Sequence, residues 1–348
     1  MKPIIGITMG DPAGIGPEIV AKALSQPIVY EICRPLVIGD SNVMKMGIGV
    51  AKLGLRIHSI ERLEEARFLF GTMDVLDLHN VDVASLVLGK PQAMGGKASV
   101  EYVTKAVELA MEGKVQAIVT APISKEAIRM AGLPYTGHTE LLAQLAGVKS
   151  VAMMLVTDSL RVVHVTTHVP LSQVPARIKK QRVLEVIMLT DEAMKALGIQ
   201  KPRIAVAGLN PHAGEGGIFG REEIEEIEPA IEEGRRLGLE VSGPFPPDTI
   251  FARAAGGGFD AVIAMYHDQG HIAVKLLGFQ WDEEKKGWTR ISGVNVTLGL
   301  PFVRTSVDHG TAYGKAGRRE GTADPGSLLE AIQLAAKLVT GMFSIRDE

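Results

Sequence analysis

The chain is a 348-residue protein of balanced composition, with 46% hydrophobic and 22% charged residues and a formal net charge of -3. These values exclude a disordered or fibrous chain, and the weak charge gives no general attraction to nucleic acid or anionic membranes. The single cysteine, Cys33, excludes an intrachain disulfide. No apolar run approaches the roughly 18 residues of a transmembrane helix, and the chain starts without the basic segment of a signal peptide. We therefore expect a cytoplasmic protein without a membrane or nucleic-acid partner.

Short apolar runs rich in β-branched residues recur along the chain and predict strands. They lie at residues 4–9, 35–38, 75–78, 117–120, 151–157, 162–166, 204–207, 261–265 and 294–298. Helical stretches separate most of them, and in residues 98–111 and 177–197 the apolar residues recur at three- and four-residue spacing. This alternation predicts an α/β fold with a largely parallel sheet.

The length favours two lobes or one large α/β unit. No low-complexity linker separates lobes, so the candidate crossings are the glycine- and proline-rich points at residues 132–134 and 300–301. We predict an outer lobe made of residues 1–132 and 305–348, and an inner lobe made of residues 133–304.

A glycine-rich segment, GDPAGIGPE at residues 10–18, lies between the first strand and a helix whose first turn contains Pro17. Glycines let a backbone approach a ligand closely. The alternative is an ordinary tight turn, because a strand-to-helix glycine loop is a weak signal. The segment does not match the G-x-G-x-x-G pattern and no Walker-type lysine follows, so a standard Rossmann cofactor site is not supported.

Three of the nine histidines come just after predicted strands: His168, His212 and His267. Open α/β sheets bind ligands at the carboxyl ends of their strands, so the three can converge at one sheet edge. Three neutral imidazoles suit Zn²⁺, Co²⁺ or a similar ion, with positions left for substrate oxygens. The alternative is that each histidine only makes a hydrogen bond within its loop.

Several longer motifs are more specific than these patterns. They are GDPAGIGPE (10–18), TAP (120–122), GHTE (137–140), TTH (166–168), NPHAGE (210–215), YHDQG (266–270), GVNVTLGLP (293–301), and Arg304 followed by DHGTA (308–312). Together they resemble the 4-hydroxythreonine-4-phosphate dehydrogenase family over essentially the whole chain.

This resemblance implies a two-lobed α/β fold of the isocitrate/isopropylmalate-dehydrogenase type, with a cleft between the lobes and a homodimer that completes each site across its interface. His309, Gly310 and Thr311 resemble the loop that holds the adenosine half of NAD in that wider group, and residues 323–326 resemble its downstream part. NADP is the alternative cofactor. The outer lobe is then the cofactor side, and the inner lobe carries the metal, the substrate and the dimer contacts.

The motif positions also imply ligands. His168, His212 and His267 fall on the family's metal ligands, which agrees with their places after strands. Zinc is the expected metal, with cobalt and magnesium as alternatives.

The same comparison places the substrate at His138, Thr139, Lys275, Asn295 and Arg304. Lys275 and Arg304 supply positive charge for a phosphorylated acid. Thr139 opens a predicted helix whose N-terminal N–H groups favour an anion.

One segment departs from the family pattern. The connection formed by residues 279–292 is much longer than the corresponding connection in the pyridoxine-pathway members. We expect a hairpin or loop extension at the cleft, since it separates Lys275 from Asn295; the alternative is a solvated surface insertion. The segment holds both tryptophans, Trp281 and Trp288. The residues around His267 are closer to the family branch that acts on D-threonate or D-erythronate 4-phosphate.

The expected reaction is the oxidation and decarboxylation of a phosphorylated four-carbon hydroxy acid, of the 4-phosphohydroxy-L-threonine type used in pyridoxal phosphate biosynthesis. The alternative within the family is D-threonate or D-erythronate 4-phosphate dehydrogenase, which gives dihydroxyacetone phosphate. Asp248 is a candidate for proton transfer or for support of the metal, with a helix N-cap as its alternative role. A phosphate acyltransferase shares the general fold, and a non-catalytic metal- or sugar-phosphate-binding protein is the third class.

Overall fold

The computed structural model describes residues 2–284 and 286–346, without the side chains of residues 287–291 and 343–346. Its strands are, in chain order, β1 (Ile4–Thr8), β2 (Arg34–Gly39), β3 (Arg56–Ile60), β4 (Thr72–Asp77), β5 (Ala117–Thr120), β6 (Ala152–Val156), β7 (Arg161–His164), β8 (Ile204–Ala207), β9 (Val241–Phe245), β10 (Ala261–Ala264), β11 (Phe279–Asp282), β12 (Gly287–Ile291), β13 (Val294–Leu298) and β14 (Val303–Val307). Its helices are α1 (Gly16–Leu24), α2 (Pro27–Ile32), α3 (Ser41–Val50), α4 (Ala93–Met111), α5 (Lys125–Met130), α6 (His138–Ala146), α7 (Val174–Arg177), α8 (Lys180–Ala196), α9 (Glu228–Arg236), α10 (Ile250–Ala255), α11 (His267–Gly278), α12 (Tyr313–Ala316) and α13 (Gly326–Arg346).

The chain divides into two compact units. Unit 1 comprises Met1–Val151 and Leu300–Val339, and unit 2 comprises Ala152–Gly299 and Thr340–Glu348. The sequence placed the first border nearer residue 132, and the functions assigned to the two lobes stay a prediction. None of the helices in the described part of the chain combines the length and apolar character needed to cross a membrane.

The strands of unit 1 follow the order β3-β4-β2-β1-β5-β14, and every neighbouring pair in this row is parallel. Apolar side chains on its central strands, such as Ile5, Ile7, Val37 and Ile118, are fully buried. Each such side chain stabilises the fold by about 1.5–3 kcal/mol. Burial on both faces explains why these strands have continuous apolar sequences rather than alternating ones.

The helices of unit 1 include α4, whose buried Val100, Val103 and Val107 have the spacing that predicted a helix. The helix begins five residues before the predicted start, at Ala93. Gly96 lies in this extra turn, where a Cβ atom would collide with the Ala127 backbone of α5. Glycine at this position therefore lets the two helices approach closely.

Unit 2 has the strand order β13-β6-β7-β10-β8-β9. Strand β6 is antiparallel to both of its neighbours, whereas β7, β10, β8 and β9 are parallel. The predicted parallel sheet is thus confirmed for unit 1 and for this four-stranded part of unit 2. A buried core packs on these strands, formed by Leu155, Leu160, Val162, Ala205, Ala207, Ile250, Phe251, Ala254, Val262, Ala264 and Val274.

The long 279–292 segment forms a β-hairpin, because β11 pairs antiparallel with β12. The Ser292 N–H donates to the Gly278 carbonyl at 3.0 Å and closes the base of the hairpin. The prediction of a hairpin is confirmed, and Trp281 is 52% exposed. Lys285 and the Trp288 side chain lie outside the described residues, and the expected position of the hairpin at the cleft stays a prediction.

Candidate functional site

Four neighbouring strands of unit 2 carry candidate residues just beyond their carboxyl ends. His168 follows β7, His267 follows β10 and opens α11, His212 follows β8, and Asp248 follows β9. Because these strands are parallel and adjacent, their carboxyl ends share one edge of the sheet. This is the edge at which open α/β sheets bind ligands.

The rings of His168 and His267 lie together, with centroids 5.6 Å apart. Both line a cavity of about 310 Å³ that also includes Tyr266 and the apolar Val169 and Leu171. Two imidazoles at this separation can approach one ligand or ion from two sides.

The side chain of His267 is oriented by its neighbour in sequence. His267 Nδ1 lies 2.6 Å from Asp268 Oδ1. This contact lowers the pKa of the Asp268 carboxyl. It also leaves the other ring nitrogen of His267, Nε2, available for a ligand, an arrangement common among metal-binding histidines.

Two further histidines pack behind His267. The His271 ring stacks on it with centroids 3.6 Å apart and planes within 12°, and His164 lies 4.8 Å from His271. Burial, followed by the neighbouring imidazoles, lowers the pKa of His271 to about 3. Burial likewise lowers the pKa of His164 to about 4. Both rings are therefore neutral packing partners at pH 7, and the sequence identified neither as a support for His267.

His212 is exposed on the segment 210–217, and its ring packs near Phe219 with centroids 6.1 Å apart. Its φ and ψ of 54° and 28° open a run of left-handed residues that extends to Gly216. In the part of the chain that the structure describes, a ring contact joins His168 to His267 but none joins either to His212. No group of three or more His, Cys, Asp or Glu side chains there is arranged to hold a metal ion. The donor chemistry suits a divalent metal, but the three histidines are not assembled as a group.

Two side chains that the sequence did not single out hold the ends of β8 and β10. Glu223 is 1% exposed, and its Oε1 accepts hydrogen bonds from the N–H groups of Leu209 and Asn210 at 2.7 and 2.8 Å. Gln269 Nε2 donates to the Gly208 carbonyl at 2.8 Å, while its Oε1 accepts from the Met265 N–H. These bonds fix where the segment with His212 leaves the sheet. Glu223 begins a π-helical turn, Glu223–Ile227, and the periodicity of the sequence does not predict such a turn.

Asp248 is exposed in the turn before α10. The expectation that it could be a helix N-cap is wrong, since the N-cap of α10 is Thr249 and makes no side-chain capping bond. Its place after β9 keeps it at the same sheet edge as the histidines.

The other two candidates of unit 2 lie on α11 and β13. Lys275 follows His271 on α11 by one helical turn, and its Nζ lies 5.3 Å from the centre of the Phe279 ring. Asn295 lies in the interior of β13, and its Oδ1 is buried without a hydrogen-bond partner among the described residues. An enclosed amide oxygen of this kind can accept a hydrogen bond from a ligand.

In unit 1, Arg304 and the start of α6 form a second polar group. Arg304 is 2% exposed, and its Nη2 donates to Thr120 Oγ1 at 2.7 Å. Burial lowers the pKa of this guanidinium to about 9, so it remains charged at neutral pH. Burial, and then the charge of Arg304, holds the pKa of His138 well below its usual range.

These groups suit an anion. His138 and Thr139 lie in the first turn of α6, whose N-cap Gly137 offers no side-chain capping bond. The His138 Nε2 atom is enclosed and has no hydrogen-bond partner in the described part of the chain, although the residue as a whole is half-buried. A bound phosphate or carboxylate can offset the buried positive charge and take up the N–H groups of the helix.

The segment with His309, Gly310 and Thr311 follows β14 in unit 1. His309 Nδ1 lies 3.1 Å from the Gly310 carbonyl, and burial lowers the pKa of its imidazole. The Thr311 carbonyl accepts the Ile15 N–H at 3.0 Å, so the segment lies against the glycine-rich segment at residues 10–18.

Comparison with known proteins decides the family. The model of the pyridoxal phosphate biosynthetic protein PdxA matches residues 31–335. The chain belongs to the PdxA family. The resemblance stated from the motifs is thereby confirmed.

Members of the PdxA family match over nearly the whole chain. A 4-hydroxythreonine-4-phosphate dehydrogenase of Desulforapulum autotrophicum is 52% identical, covering 97% of this chain and 96% of that protein. A protein of Clostridium botulinum, named provisionally as a D-threonate 4-phosphate dehydrogenase, is 46% identical over 97% of both chains. The crystal structure of a 4-hydroxythreonine-4-phosphate dehydrogenase from Burkholderia phymatum matches with a TM-score of 0.83 at 47% identity, covering 97% of this chain and 98% of that one.

Proposed function

We propose that this protein is an NAD-dependent dehydrogenase that oxidises and decarboxylates a phosphorylated four-carbon hydroxy acid, with a divalent metal at the histidines of unit 2. Membership of the PdxA family, with near full-length relatives named as dehydrogenases of such acids, carries the proposal. The two-lobed arrangement with a cleft, the cytoplasmic location and a homodimer that completes each site belong to the same proposal. NAD is the proposed cofactor.

His168, His212 and His267 would hold the metal, for which zinc suits three imidazole ligands. The support is their donor chemistry and the sheet edge that their strands share, rather than an assembled group of three. A metal bound there supplies Lewis acidity to the hydroxyl and carboxylate oxygens of the substrate. The contact from Asp268 fixes which nitrogen of His267 is available.

The residues of unit 1 would bind the phosphate. Arg304 supplies a buried positive charge, and the first turn of α6 supplies N–H groups with His138 at its start. Lys275 and Asn295 in unit 2 would contact other polar groups of the substrate.

The proton that leaves the substrate hydroxyl needs an acceptor. Asp248 is the proposed one, because it is an exposed carboxylate at the sheet edge of the histidines. An Asp248→Asn variant that keeps full activity excludes this role.

The substrate is a 4-phosphohydroxy-L-threonine type acid, and D-threonate 4-phosphate is the second candidate. The threonine-type acid follows from the name of the relative that is 52% identical. D-threonate 4-phosphate follows from the name of the relative that is 46% identical. The hairpin at residues 279–292 is much longer than the connection in the pyridoxine-pathway members. It therefore favours keeping D-threonate 4-phosphate as the second candidate substrate.

The experiment that tests the metal part compares His168→Ala, His212→Ala and His267→Ala with the unchanged protein. Each variant should lose bound metal and turnover, because two imidazoles make an incomplete site. His58→Ala and His79→Ala are controls in unit 1 and should keep both. Full metal content in all three variants would remove the proposed metal site.

A further inference from the structure

The glycine-rich segment at residues 10–18 continues into helix α1 and contacts two later segments of unit 1. The first is the 309–313 segment, which contains the residues that resemble the adenosine-binding loop, His309, Gly310 and Thr311. The second is the 321–323 segment, which ends at the first of the residues 323–326 that resemble the downstream part of that loop. These contacts cross about 300 residues of sequence, and the activity proposed above assigns them no role.

Asp11 makes the central contact. Its side chain is fully buried, and its Oδ2 accepts a hydrogen bond from the Tyr313 hydroxyl at 2.7 Å. Its Oδ1 accepts the Ala13 N–H at 2.8 Å, and its own N–H donates to the Pro122 carbonyl at 2.9 Å. A buried carboxylate that accepts two hydrogen bonds defines the positions of both donors closely.

A backbone contact accompanies the carboxylate. The Ile15 N–H donates to the Thr311 carbonyl at 3.0 Å. A Cβ atom on Gly14 would lie 3.0 Å from the same oxygen and 3.1 Å from Thr311 Cβ. The glycine therefore lets the two segments lie directly against each other.

The residue between these two contacts is strained. Ala312 has φ 45° and ψ 50°, a left-handed conformation that is unfavourable for a residue with a Cβ atom. Thr311 before it and Tyr313 after it are both tied to the glycine-rich segment. The strain persists because its two neighbours are held, which makes the conformation of the loop dependent on Asp11.

Helix α1 holds the second segment. Glu18 Oε1 accepts the Ala323 N–H at 2.8 Å and the Lys22 ammonium at 2.8 Å. Lys22 Nζ also donates to the carbonyls of Gly321 and Ala323, at 2.7 and 2.6 Å. Residues 11–22, which form the turn after β1 and helix α1, therefore contact both segments.

We propose that Asp11, Tyr313 and Glu18 are positioning residues that set the affinity for the adenosine half of the dinucleotide. This inference rests on the proposed function, because it assumes that the 309–311 segment and residues 323–326 hold the cofactor. The three side chains act through the segments they hold rather than by touching the dinucleotide. Burial raises the pKa of Asp11. The hydrogen bonds from Tyr313 and the Ala13 N–H oppose that rise, because they stabilise the charged carboxylate.

The test uses Asp11→Asn, Tyr313→Phe and Glu18→Gln in the metal-loaded protein, with NAD and the phosphorylated acid varied separately. The KM for NAD should rise by about tenfold in each variant, the scale of one lost hydrogen bond to a charged group. The KM for the acid should change by less than about twofold, because His138 and Arg304 are untouched. The Asp11→Asn/Tyr313→Phe double variant should be little worse than either single variant, since both changes remove the same contact.

Tyr102→Phe is the matched control, because Tyr102 is another buried tyrosine of unit 1 whose hydroxyl donates to Asn80 Oδ1 at 2.8 Å. It should leave both KM values unchanged. A merely structural role would instead lower thermal stability and change both KM values together, and that result overturns the inference. Unchanged KM for NAD in Tyr313→Phe and Glu18→Gln overturns it as well. Direct titration with NADH distinguishes failure of the proposed function from failure of the positioning role. If the protein without substitutions does not bind NADH, the proposed function is refuted. If the variants bind NADH as tightly as that protein, only the positioning role is refuted.

Discussion

His267 Nδ1 and Asp268 Oδ1 lie 2.6 Å apart at the start of α11, although the two residues are adjacent in sequence. The contact fixes the ring of His267 and assigns its other nitrogen, Nε2, to whatever ligand the site binds. Asp268→Asn should therefore weaken metal binding by about 10- to 100-fold, the usual effect of losing a carboxylate behind a histidine ligand. Metal titration monitored by a competing chelator measures it.

A similar pair elsewhere provides the control for this prediction. His58 Nδ1 lies 2.7 Å from Asp74 Oδ1 in unit 1, on two strands that carry no candidate ligand. His58→Ala should leave metal affinity unchanged. If Asp268→Asn also binds metal normally, Asp268 does not act through His267.

Arg304→Ala should raise the KM for the phosphorylated acid by about 10- to 100-fold, as expected for one charge-assisted contact. The reason is that a buried guanidinium, 2% exposed, meets the anion without competition from water. Steady-state kinetics with the phosphorylated acid and its unphosphorylated analogue measure the effect, and the analogue should lose much less.

Thr120→Ala is the matched control for Arg304→Ala. It removes the 2.7 Å hydrogen bond to Arg304 Nη2 but keeps the positive charge, so its effect on KM should be smaller. Equal losses for the phosphorylated and unphosphorylated compounds would show that Arg304 does not bind the phosphate.

The hairpin can be removed with little expected damage to the fold. Gly278 and Ser292 are already joined by a 3.0 Å hydrogen bond at its base, so a short glycine turn can replace residues 280–290. The deletion should change the ratio of kcat/KM between 4-phosphohydroxy-L-threonine and D-erythronate 4-phosphate by about 2- to 10-fold, the scale of an aromatic contact.

Thermal unfolding of the same deletion variant shows whether the fold is intact. An unchanged ratio in a folded protein would make the hairpin a surface feature without a role in specificity. Equal loss of activity with both acids, accompanied by a change in oligomeric state, would place its tryptophans at a subunit interface instead.

Acid should weaken one contact of unit 2, between Arg203 and Asp260. Burial alone would raise the pKa of Asp260, but hydrogen bonds from the Arg203 side chain and backbone hold it below its ordinary value. Because the folded pKa is lowered, the contact stabilises the fold fully above the ordinary value of about 3.9, and this stabilisation is lost as the pH falls through the lower folded value.

Asp260→Asn should therefore reduce the free energy of unfolding at pH 7, and the difference from the unchanged protein should shrink below about pH 4. Denaturant unfolding across this range measures it, and Arg203→Met, which keeps the backbone hydrogen bond to Asp260, should give a smaller change of the same sign. A difference that stays constant down to about pH 3 would show that this carboxylate does not titrate as described.

Sequence patterns predicted the strands that are continuous apolar runs, such as β1 and β10, because burial on both faces requires such residues. They missed β14, since Arg304, Thr305 and Ser306 at its centre are polar, yet all three are buried. They also missed β9, which contains Gly243 and Pro244.

The site was predictable only in part. The strand ends with His168, His212 and His267 could be located from local sequence, but the order of β7, β10, β8 and β9 depends on tertiary packing. The contact of Asp11 with Tyr313 joins residues that are 302 positions apart, and no local pattern reports such a pair.

The most direct test of the proposed function is the amount of carbon dioxide released for each NADH formed by the metal-loaded protein. With 4-phosphohydroxy-L-threonine or D-threonate 4-phosphate as substrate, we predict equal amounts of the two products, and neither product once a chelator has removed the metal. NADH formation without carbon dioxide would contradict the decarboxylation, and the absence of both products with either acid would contradict the proposed activity altogether.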